Sequence, residues 1–391
     1  GVLLEYYERE IFGSTNEVTT QLAFVGSLRN IMGSLCMLPA NLAYSFVGHK
    51  IMLLLSTLLS TLGVLLSGTV TEMWQLYLFY SVFTGCGMCL FHVPLIRIVP
   101  NWFDESSRST AFGIITSTMG VGGLLVPLTM SSIERNLGSV WIFRILAIVV
   151  FVTGMIACAI IKDTEPPTTT TSDVSSNEKE NVGDKKKQVA MDFTILKMRK
   201  VLLWLGAYGT QTFVQGIPLI FLPSYAKYIG LGQEQGTVAI SLLLGMSVPG
   251  SIIAGIVADR IGNINTLTIY VLMEALTTAL IWTFVNNFQT LQLYGAIYGF
   301  FFNSMASLGS ALAISIVGME RFPSAMSLLL LTSTLCAMGS TVASFIEGKV
   351  NQSIQPYLSY KIMAVAGYVV SFIFLLVLRS AFHKKKVFVK V

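Results

Sequence analysis

Long apolar stretches, separated by short polar turns, run along almost the whole chain. A helix that crosses the hydrocarbon core of a bilayer needs about 20 mostly apolar residues. Eleven stretches of about that length follow the opening segment GVLLEYY, which itself has the pattern of the end of a first, truncated span. We number these stretches spans 2 to 12 and predict them, in chain order, at residues 21–46, 51–70, 74–99, 109–130, 140–161, 201–225, 235–257, 265–284, 291–317, 323–345 and 357–378.

One long polar segment interrupts this pattern. Fifteen of the 45 charged residues lie between positions 162 and 200, in a stretch that is also rich in Thr, Ser and Pro. Such a composition cannot bury enough apolar surface to fold. We therefore predict an all-α integral membrane protein with six plus six transmembrane helices. Its parts are an N-terminal half at 1–161, a flexible cytoplasmic linker at 162–200, a C-terminal half at 201–378 and a cytoplasmic tail at 379–391.

Composition supports a membrane location and excludes several other classes of protein. Hydrophobic residues make up 53% of the chain and charged residues only 12%, whereas a soluble domain carries roughly 25% charged residues. All five cysteines lie in apolar stretches, which argues against a secreted disulfide framework. The net charge of +5 comes without aromatic residues interleaved among basic clusters, so nucleic acid is not an expected partner.

Enzymatic chemistry is not expected either. The chain shows no nucleophile paired with a base, no phosphate-binding loop and no metalloprotease motif. Cys86, Cys89 and His92 follow one another at three-residue steps, which drift around a helix and supply no fourth metal ligand. We therefore predict no cofactor and no metal, and we expect the bilayer and a small solute as partners.

Basic residues are unevenly distributed between the two predicted sides of the membrane. The side that holds the linker carries 18 Lys and Arg residues, including Lys50, Arg97 and Arg108, and the opposite side carries five. Loops rich in Lys and Arg tend to stay in the cytoplasm. The sequence thus predicts that the linker and both termini are cytoplasmic. It favours the plasma membrane, with the vacuolar membrane as the alternative.

A glycine-rich motif with two charges ends span 8. It reads Gly255-Ile-Val-Ala-Asp259-Arg260-Ile-Gly262, and its glycines allow a neighbouring helix to approach closely. The pattern resembles the loop signature of the Major Facilitator Superfamily, whose two six-helix halves rock about a central site. The resemblance implies that four residues of this motif form a cytoplasmic gate: Gly255, Asp259, Arg260 and Gly262. An ordinary turn with an interfacial ion pair is the alternative.

Further motifs narrow the resemblance. They are Trp102-Phe103, Arg108-Ser-Thr-Ala111-Phe-Gly113, Gly120-x-Gly122-Gly123 with Pro127, Glu5-Tyr6-Tyr7, and Leu222-Pro223-Ser224-Tyr225-Ala226. In this order they resemble the monocarboxylate-transporter-like family, and its fungal permeases in particular. The resemblance implies a permease with alternating access for a monocarboxylate or similar organic anion, with proton symport as an option.

Two charged residues lie well inside predicted spans, where a charge costs a few kcal/mol. Glu274 in span 9 is a candidate proton site, and the alternative is a neutral acid that is hydrogen-bonded between helices. Arg29 in span 2 is a candidate partner for an anionic substrate, although it could instead pair with Glu5 or Glu8.

Polar stripes mark spans 7 and 10, which line the cavity in the superfamily that the chain resembles. Tyr208, Gln211 and Gln215 share one helix face, and Asn303, Ser307 and Ser310 share another. Together with Tyr6 and Arg29, we predict that Tyr208, Gln211, Gln215, Asn303 and Ser307 line the substrate pathway. Hydrogen bonding between helices is the alternative reason for these stripes.

Span 8 departs from the family pattern. Many members carry an arginine there that meets the substrate carboxylate, and Ser251 occupies that place in this chain. A facilitator of a less acidic, vitamin-like solute is therefore an alternative function. A transporter-like nutrient sensor is another, but sensors usually have a long cytoplasmic tail and the segment after Leu378 is short.

Overall fold

Helices dominate the computed structural model, which describes residue 7 and residues 11–13, 16–104, 106–161, 193–350 and 356–382. Every predicted span from 2 to 12 is helical, and no strand occurs in the described residues. The N-terminal helices are Asn16–Leu35, Met37–Ser67, Met73–Leu76, Thr84–Trp102, Arg108–Leu137 and Ser139–Ile160. A π-helical stretch, Tyr77–Phe83, continues Met73–Leu76 into Thr84–Trp102, so that span 4 is unbroken.

The C-terminal helices follow a short 3-10 turn at Phe193–Lys197. They are Arg199–Tyr228, Gln233–Ile261, Asn263–Leu276, Phe288–Phe301, Ser304–Cys336, Gly339–Val350 and Leu358–Phe382. Span 9 continues from Leu276 through the π-helical stretch Thr277–Ile281 and the 3-10 turn Trp282–Phe284. Eight stretches of the described chain are long and apolar enough to cross a membrane, and the longest of them, Phe288–Glu347, contains spans 10 and 11.

Single glycines divide two of the longest helices into separate spans. Gly48 has a φ of 78° inside Met37–Ser67, and Gly318 has a φ of 77° inside Ser304–Cys336. L side chains rarely adopt this left-handed region, whereas glycine does so without steric cost. The two positions therefore end spans 2 and 10 close to where the sequence predicts, and each connection is a single sharp turn.

Span 10 contains a sharp break in its helix. The predicted span at 291–317 is helical on both sides of this break, because one helix ends at Phe301 and the next begins at Ser304. Asn303 has a φ of 69° at the break, and asparagine is among the few non-glycine residues that tolerate this conformation. The aromatic ring of Phe301 lies 5.0 Å from that of Tyr270, which holds the chain at this point.

The linker and tail differ slightly from their predicted bounds. Residues 193–197 form the 3-10 turn, with Ile195 fully buried, and the helix of span 7 already begins at Arg199. At the other end, the last helix continues to Phe382. The rest of the predicted linker and tail lies outside the described residues.

The chain divides into two compact units. The first comprises residues 1–102 and 132–193, and the second comprises 103–131 and 194–391. Span 5 thus belongs to the second unit, although it precedes the predicted linker. The division into halves at 161 and 201 stays a prediction.

Each unit has its own apolar core. In the first unit, the Tyr7 hydroxyl donates to the Ser67 carbonyl oxygen at 2.6 Å, within a cluster formed with Leu22, Val25, Val70, Leu76 and Phe143. The core of the second unit is rich in aromatic side chains. The rings of Trp282, Tyr294 and Tyr298 stack in sequence, and the hydroxyl groups of Tyr298 and Tyr368 are 2.5 Å apart.

Spans 8 and 10 of the second unit pack backbone against backbone. A Cβ atom at Gly295 would lie 2.7 Å from the Ala239 carbonyl oxygen, and one at Gly250 would overlap the Phe300 carbonyl oxygen. Glycine at these positions allows the close approach by which membrane helices associate.

Gly250→Ala is expected to destabilise the protein, because the added methyl group forces two backbones apart. Overpacking costs about 1–3 kcal/mol, so the thermal unfolding temperature in detergent should fall. Gly122→Ala is the matched control, since this helical glycine has open space around its Cβ position and alanine favours the helix. Equal unfolding temperatures for the two variants would contradict the packing described above.

Candidate functional site

The Asp259 carboxylate of span 8 caps the beginning of span 5 within the second unit. Its Oδ1 accepts from the backbone N–H of Ser109 at 3.1 Å. Its Oδ2 accepts from the backbone N–H of Thr110 at 2.9 Å and from the Thr110 hydroxyl at 2.6 Å. The first N–H groups of a helix have no partner inside the helix, and a negative charge is favourable there. Asp259 therefore ties the end of span 8 to the start of span 5.

The neighbours of Asp259 make this contact possible. A Cβ atom at Gly255 would lie 2.5 Å from the Ser109 carbonyl oxygen, so only glycine allows span 8 to come so close. Gly262, with a φ of 94°, turns the chain into span 9, where Asn263 Oδ1 accepts from the Ser109 hydroxyl at 2.7 Å. Three of the four predicted gate residues thus build one contact, whereas Arg260 is exposed.

Asn263 was missed by the sequence analysis. It directly follows the glycine-rich motif, but an asparagine after a turn glycine has no pattern that distinguishes it from an ordinary helix start.

A buried carboxyl group joins three helices of the same unit. Glu274 in span 9 is only 1% exposed. Its Oε2 accepts from Gln211 Nε2 of span 7 at 2.6 Å, and its Oε1 accepts from the Ser304 hydroxyl of span 10 at 3.4 Å. The other amide atom, Gln211 Oε1, is buried and has no hydrogen-bond partner among the residues that the structure describes.

The break in span 10 lies directly beside this carboxyl group. Asn303, which adopts the left-handed conformation, precedes Ser304, and the Ser307 hydroxyl donates to the Ser304 carbonyl oxygen at 3.1 Å. Asn303 Nδ2 is 3.9 Å from Met119 Sδ in span 5. We call Gln211, Glu274, Asn303, Ser304 and Ser307 the Glu274 cluster. Of these residues, only Ser304 was not predicted, because it lies outside the stripe that contains Asn303 and Ser307.

The remaining predicted pathway residues of the second unit lie along span 7. Tyr208 and Gln215 are half-buried, on either side of the buried Gln211. The structure thus brings Gln211, Asn303 and Ser307 together with Glu274, and it leaves Tyr208 and Gln215 nearby on the same helix.

Arg29 of span 2 is the charged candidate in the first unit. It is half-buried, and its guanidinium carbon lies 5.7 Å from the centroid of the Tyr80 ring in span 4. Its Nε atom is buried and has no hydrogen-bond partner in the described part of the chain. Tyr6, together with the alternative partners Glu5 and Glu8, lies outside the described residues.

No group of three or more His, Cys, Asp or Glu residues in the described ranges could hold a metal ion. Cys86 Sγ lies 3.0 Å from Cys36 Sγ, Cys89 Sγ lies 3.6 Å from Met37 Sδ, and His92 Nδ1 lies 2.9 Å from the Met88 carbonyl oxygen. The three side chains with metal-like spacing therefore contact different partners.

Comparison with known proteins agrees with this architecture. Residues 3–273 match the Major Facilitator Superfamily. The chain is 23% identical over 352 residues to the agnestins efflux protein AgnL12 of Paecilomyces divaricatus, and this alignment covers 90% of this chain and 76% of that protein. It is 23% identical over 321 residues to the probable transporter MCH2 of Saccharomyces cerevisiae, which covers 82% of this chain and 65% of that protein.

Solved structures show the same fold. The E. coli fucose:proton symporter FucP superposes with a TM-score of 0.74 at 14% identity, covering 96% of this chain and 93% of that one. The human organic anion transporter MFSD10 superposes with a TM-score of 0.69 at 14% identity, covering 95% and 88%.

The predicted fold class is confirmed by these matches. The relatives are named as transporters and not as enzymes, in agreement with the sequence analysis. The apolar helices and the match over residues 3–273 together identify a multi-pass membrane transporter. The chain belongs to the Major Facilitator Superfamily.

Proposed function

We propose that this transporter moves a small organic anion, of the monocarboxylate class, by alternating access between its two halves. The observation that carries the proposal is Arg29, a permanent cation inside span 2 that is placed over the Tyr80 ring. An arginine binds a carboxylate through two parallel, charge-assisted hydrogen bonds, and a charge at this depth is rarely kept without a function. The motifs of the monocarboxylate-transporter-like branch support the same solute class. Of the structural neighbours, MFSD10 is named an organic anion transporter.

Glu274 is the proposed site for a coupled proton. A carboxyl group that is 1% exposed can hold a proton away from water, and its bond to Gln211 connects it to span 7. The Gln211 amide can serve both states, because Nε2 donates to a carboxylate and Oε1 can accept from a protonated carboxyl group. FucP, with the same fold, is named a proton symporter. Proton uptake at Glu274 would thus change the hydrogen bonding of Gln211, which shares a helix face with Tyr208 and Gln215.

The Asp259 cap is the proposed gate. An interaction between the end of span 8 and the start of span 5 can hold one conformation of a carrier until substrate binding offsets it. Gly255 and Gly262 allow the approach, and Arg260 lies exposed beside the cap. In this proposal, Tyr6, Tyr208, Gln215 and Ser307 line the route of the solute.

A facilitator of a less acidic solute is the second candidate function. Ser251 of span 8 is 1% exposed, and its hydroxyl has no hydrogen-bond partner among the described residues. A hydroxyl at this position, rather than an arginine, suits a neutral or weakly acidic part of a larger molecule. AgnL12 is named an efflux protein for agnestins, which is compatible with such a solute.

Arg29→Gln is expected to reduce uptake of organic anions at least tenfold, because a hydrogen bond to a charged group contributes about 1.5–3 kcal/mol. The measurement is uptake into proteoliposomes of the full-length protein, with radiolabelled lactate, pyruvate, nicotinate, biotin and pantothenate. Arg144→Gln is the control, since Arg144 is exposed and stacks on Trp141 at 5.1 Å. Undiminished anion uptake by Arg29→Gln would refute the role of Arg29, and uptake of none of the solutes by folded wild type would favour a sensor.

Glu274→Gln is expected to abolish stimulation of uptake by an inward proton gradient, because an amide cannot carry the proton. The variant keeps the size of the side chain and can still accept from Gln211, so the protein should remain folded in a thermal unfolding assay. Glu320→Gln, at an exposed position, should keep the stimulation. A gradient effect that persists in Glu274→Gln would assign this residue a purely structural role.

Asp259→Asn is expected to destabilise the protein by about 1–3 kcal/mol, the cost of leaving a buried N–H donor without its acceptor. The asparagine amide places a donor against the N–H groups of Ser109 or Thr110, where only an acceptor fits. Thermal unfolding should detect the loss, and Arg260→Gln should have little effect at its exposed position. If both variants unfold at the same temperature as wild type, the Asp259 cap does not hold spans 5 and 8 together.

A further inference from the structure

Two buried polar atoms on one face of span 7 lack a hydrogen-bond partner in the described part of the chain. They are Gln211 Oε1 and Trp204 Nε1, and the two side chains are 1% and 0% exposed. An unsatisfied polar group is unfavourable in an apolar interior, and buried groups of this kind commonly bind water. One atom is an acceptor and the other a donor, so together they can orient a water molecule at each end of a chain of hydrogen bonds.

The two atoms continue a polar face from the Glu274 cluster toward the linker. Gln211 and Trp204 are seven positions apart, which places them on one helix face and about 10 Å apart along the axis at 1.5 Å per residue. The helix of span 7 begins at Arg199, at the end of the predicted linker, so Trp204 lies on the linker side of Gln211. Tyr208 lies between them on the same face and is only half-buried.

Span 10 leaves space opposite Trp204. A Cβ atom at Gly309 would lie 3.8 Å from Trp204 Nε1 and 3.6 Å from Met305 Sδ, so a group of the size of a methyl fits in front of the indole N–H. Gly309 follows Ser304 by five positions, or about 7.5 Å along the helix. The contact of spans 7 and 10 therefore carries a polar group that water can satisfy at both levels, at Glu274 and at Gly309.

Aromatic rings fill the other side of Glu274. Trp282, Tyr294 and Tyr298 are fully buried in one apolar cluster, and their rings stack at centroid distances of 5.5 and 5.2 Å. The titratable groups that act on Glu274 from neighbouring helices are the hydroxyl groups of Tyr294, Tyr298 and Tyr368, which are neutral at pH 7. Trp204 thus marks the direction in which Glu274 can exchange a proton with water.

We infer that a short file of water molecules, oriented by Gln211 Oε1 and Trp204 Nε1, carries the proton between Glu274 and the side of the membrane that holds the linker. Gln211 Oε1 and Nε2 belong to one amide, so a water molecule that donates to Oε1 also reaches the Glu274 carboxyl group, which Nε2 contacts at 2.6 Å. About three water molecules at hydrogen-bond spacing span the distance to Trp204. This inference rests on the proposed proton site at Glu274, and it adds the route to that site.

Only O–H bonds form and break along this route. The protonated carboxyl group of Glu274 gives its proton to the first water molecule, each water molecule passes one proton to the next, and the last one releases a proton to bulk solvent. Glu274 is left as a carboxylate, which accepts from Gln211 Nε2 as in the structure. Gln211 and Trp204 are positioning residues, because they orient the water molecules and neither gains nor loses a proton.

The test separates movement of the proton from movement of the solute. In proteoliposomes of the full-length protein, net uptake driven by an inward proton gradient requires Glu274 to release its proton, whereas exchange of external labelled for internal unlabelled solute at equal pH does not. The probe is radiolabelled lactate, or the solute among those named above that wild type carries fastest. Gly309→Ala should slow net uptake about tenfold and exchange less than about twofold, because its methyl group displaces water at Trp204 Nε1.

Matched controls separate the route from general effects of these substitutions. Gly245→Ala in span 8 adds a methyl group whose nearest neighbour, Leu124 Cδ2, is also 3.6 Å away, and it should leave net uptake unchanged. Trp204→Phe should slow net uptake as Gly309→Ala does. Trp282→Phe removes another buried indole N–H that has no partner among the described residues, but it should keep net uptake because Trp282 lies in the apolar cluster. Equal loss of net uptake and exchange in Gly309→Ala, or equal effects of the two Trp substitutions, would overturn the inference.

A second readout does not depend on transport. Protonated Glu274 has a carbonyl stretching band that the infrared spectrum of Glu274→Gln lacks, and this band shifts when the proton exchanges with D₂O. After rapid mixing of the protein in detergent with D₂O, the shift should be about tenfold slower in Gly309→Ala and Trp204→Phe than in wild type.

The two readouts distinguish failure of the route from failure of the proposed function. Proton-stimulated transport that neither Gly309→Ala nor Trp204→Phe slows would overturn the route and leave the proposed function intact. Slower D₂O exchange in these variants, without any transport by wild type, would overturn the proposed function and keep the route. Absence of the Glu274 band at every pH would overturn the route together with the proton site.

Discussion

Hydrocarbon offers no hydrogen-bond partner, so every backbone N–H and C=O group of the chain at membrane depth must be satisfied by the chain itself. This constraint accounts for the helical state of every described span. It also accounts for the hydroxyl groups that bond backward along their own helix, as Thr57 does to the Leu53 carbonyl and Thr268 to that of Ile264. Because the backbone bonds are closed within each helix, neighbouring spans associate through close packing, which is why glycine occurs at contacts such as Gly255 and Gly295.

The same constraint makes the few ionisable groups into joints between distant parts of the chain. Glu274 is bonded to an amide of span 7 and a hydroxyl of span 10, and Asp259 occupies the start of span 5. Arg29 and Arg97 use aromatic rings on neighbouring helices. The partners differ in chemistry, but each charged group holds two or more helices together at a place where a carrier needs polar chemistry.

The hydrophobic pattern was sufficient to predict the spans, because it depends on the local sequence and on the thickness of the membrane. The gate motif and four of the five members of the Glu274 cluster, all but Ser304, were also found from their residue types, since intramembrane charges and polar stripes are rare. What could not be predicted was the partner across a helix contact. The sequence analysis counted Arg97 only as a basic residue on the side of the membrane that holds the linker. Its position in the sequence does not reveal that its guanidinium carbon lies 4.5 Å from the centroid of the Tyr44 ring. Similarly, the break at Asn303 depends on packing around Phe301 that no periodicity records.

The one-residue joints at Gly48 and Gly318 make stiff hairpins of the spans that they connect. A connection of one residue cannot extend, so a change in the tilt of span 2 is transmitted to span 3, and a change in the tilt of span 10 is transmitted to span 11. The two helices of each hairpin therefore move together as one rigid pair. It also follows that the two spans of a hairpin insert into the bilayer together, because a single glycine is too short to let one span remain at the membrane surface while the other crosses.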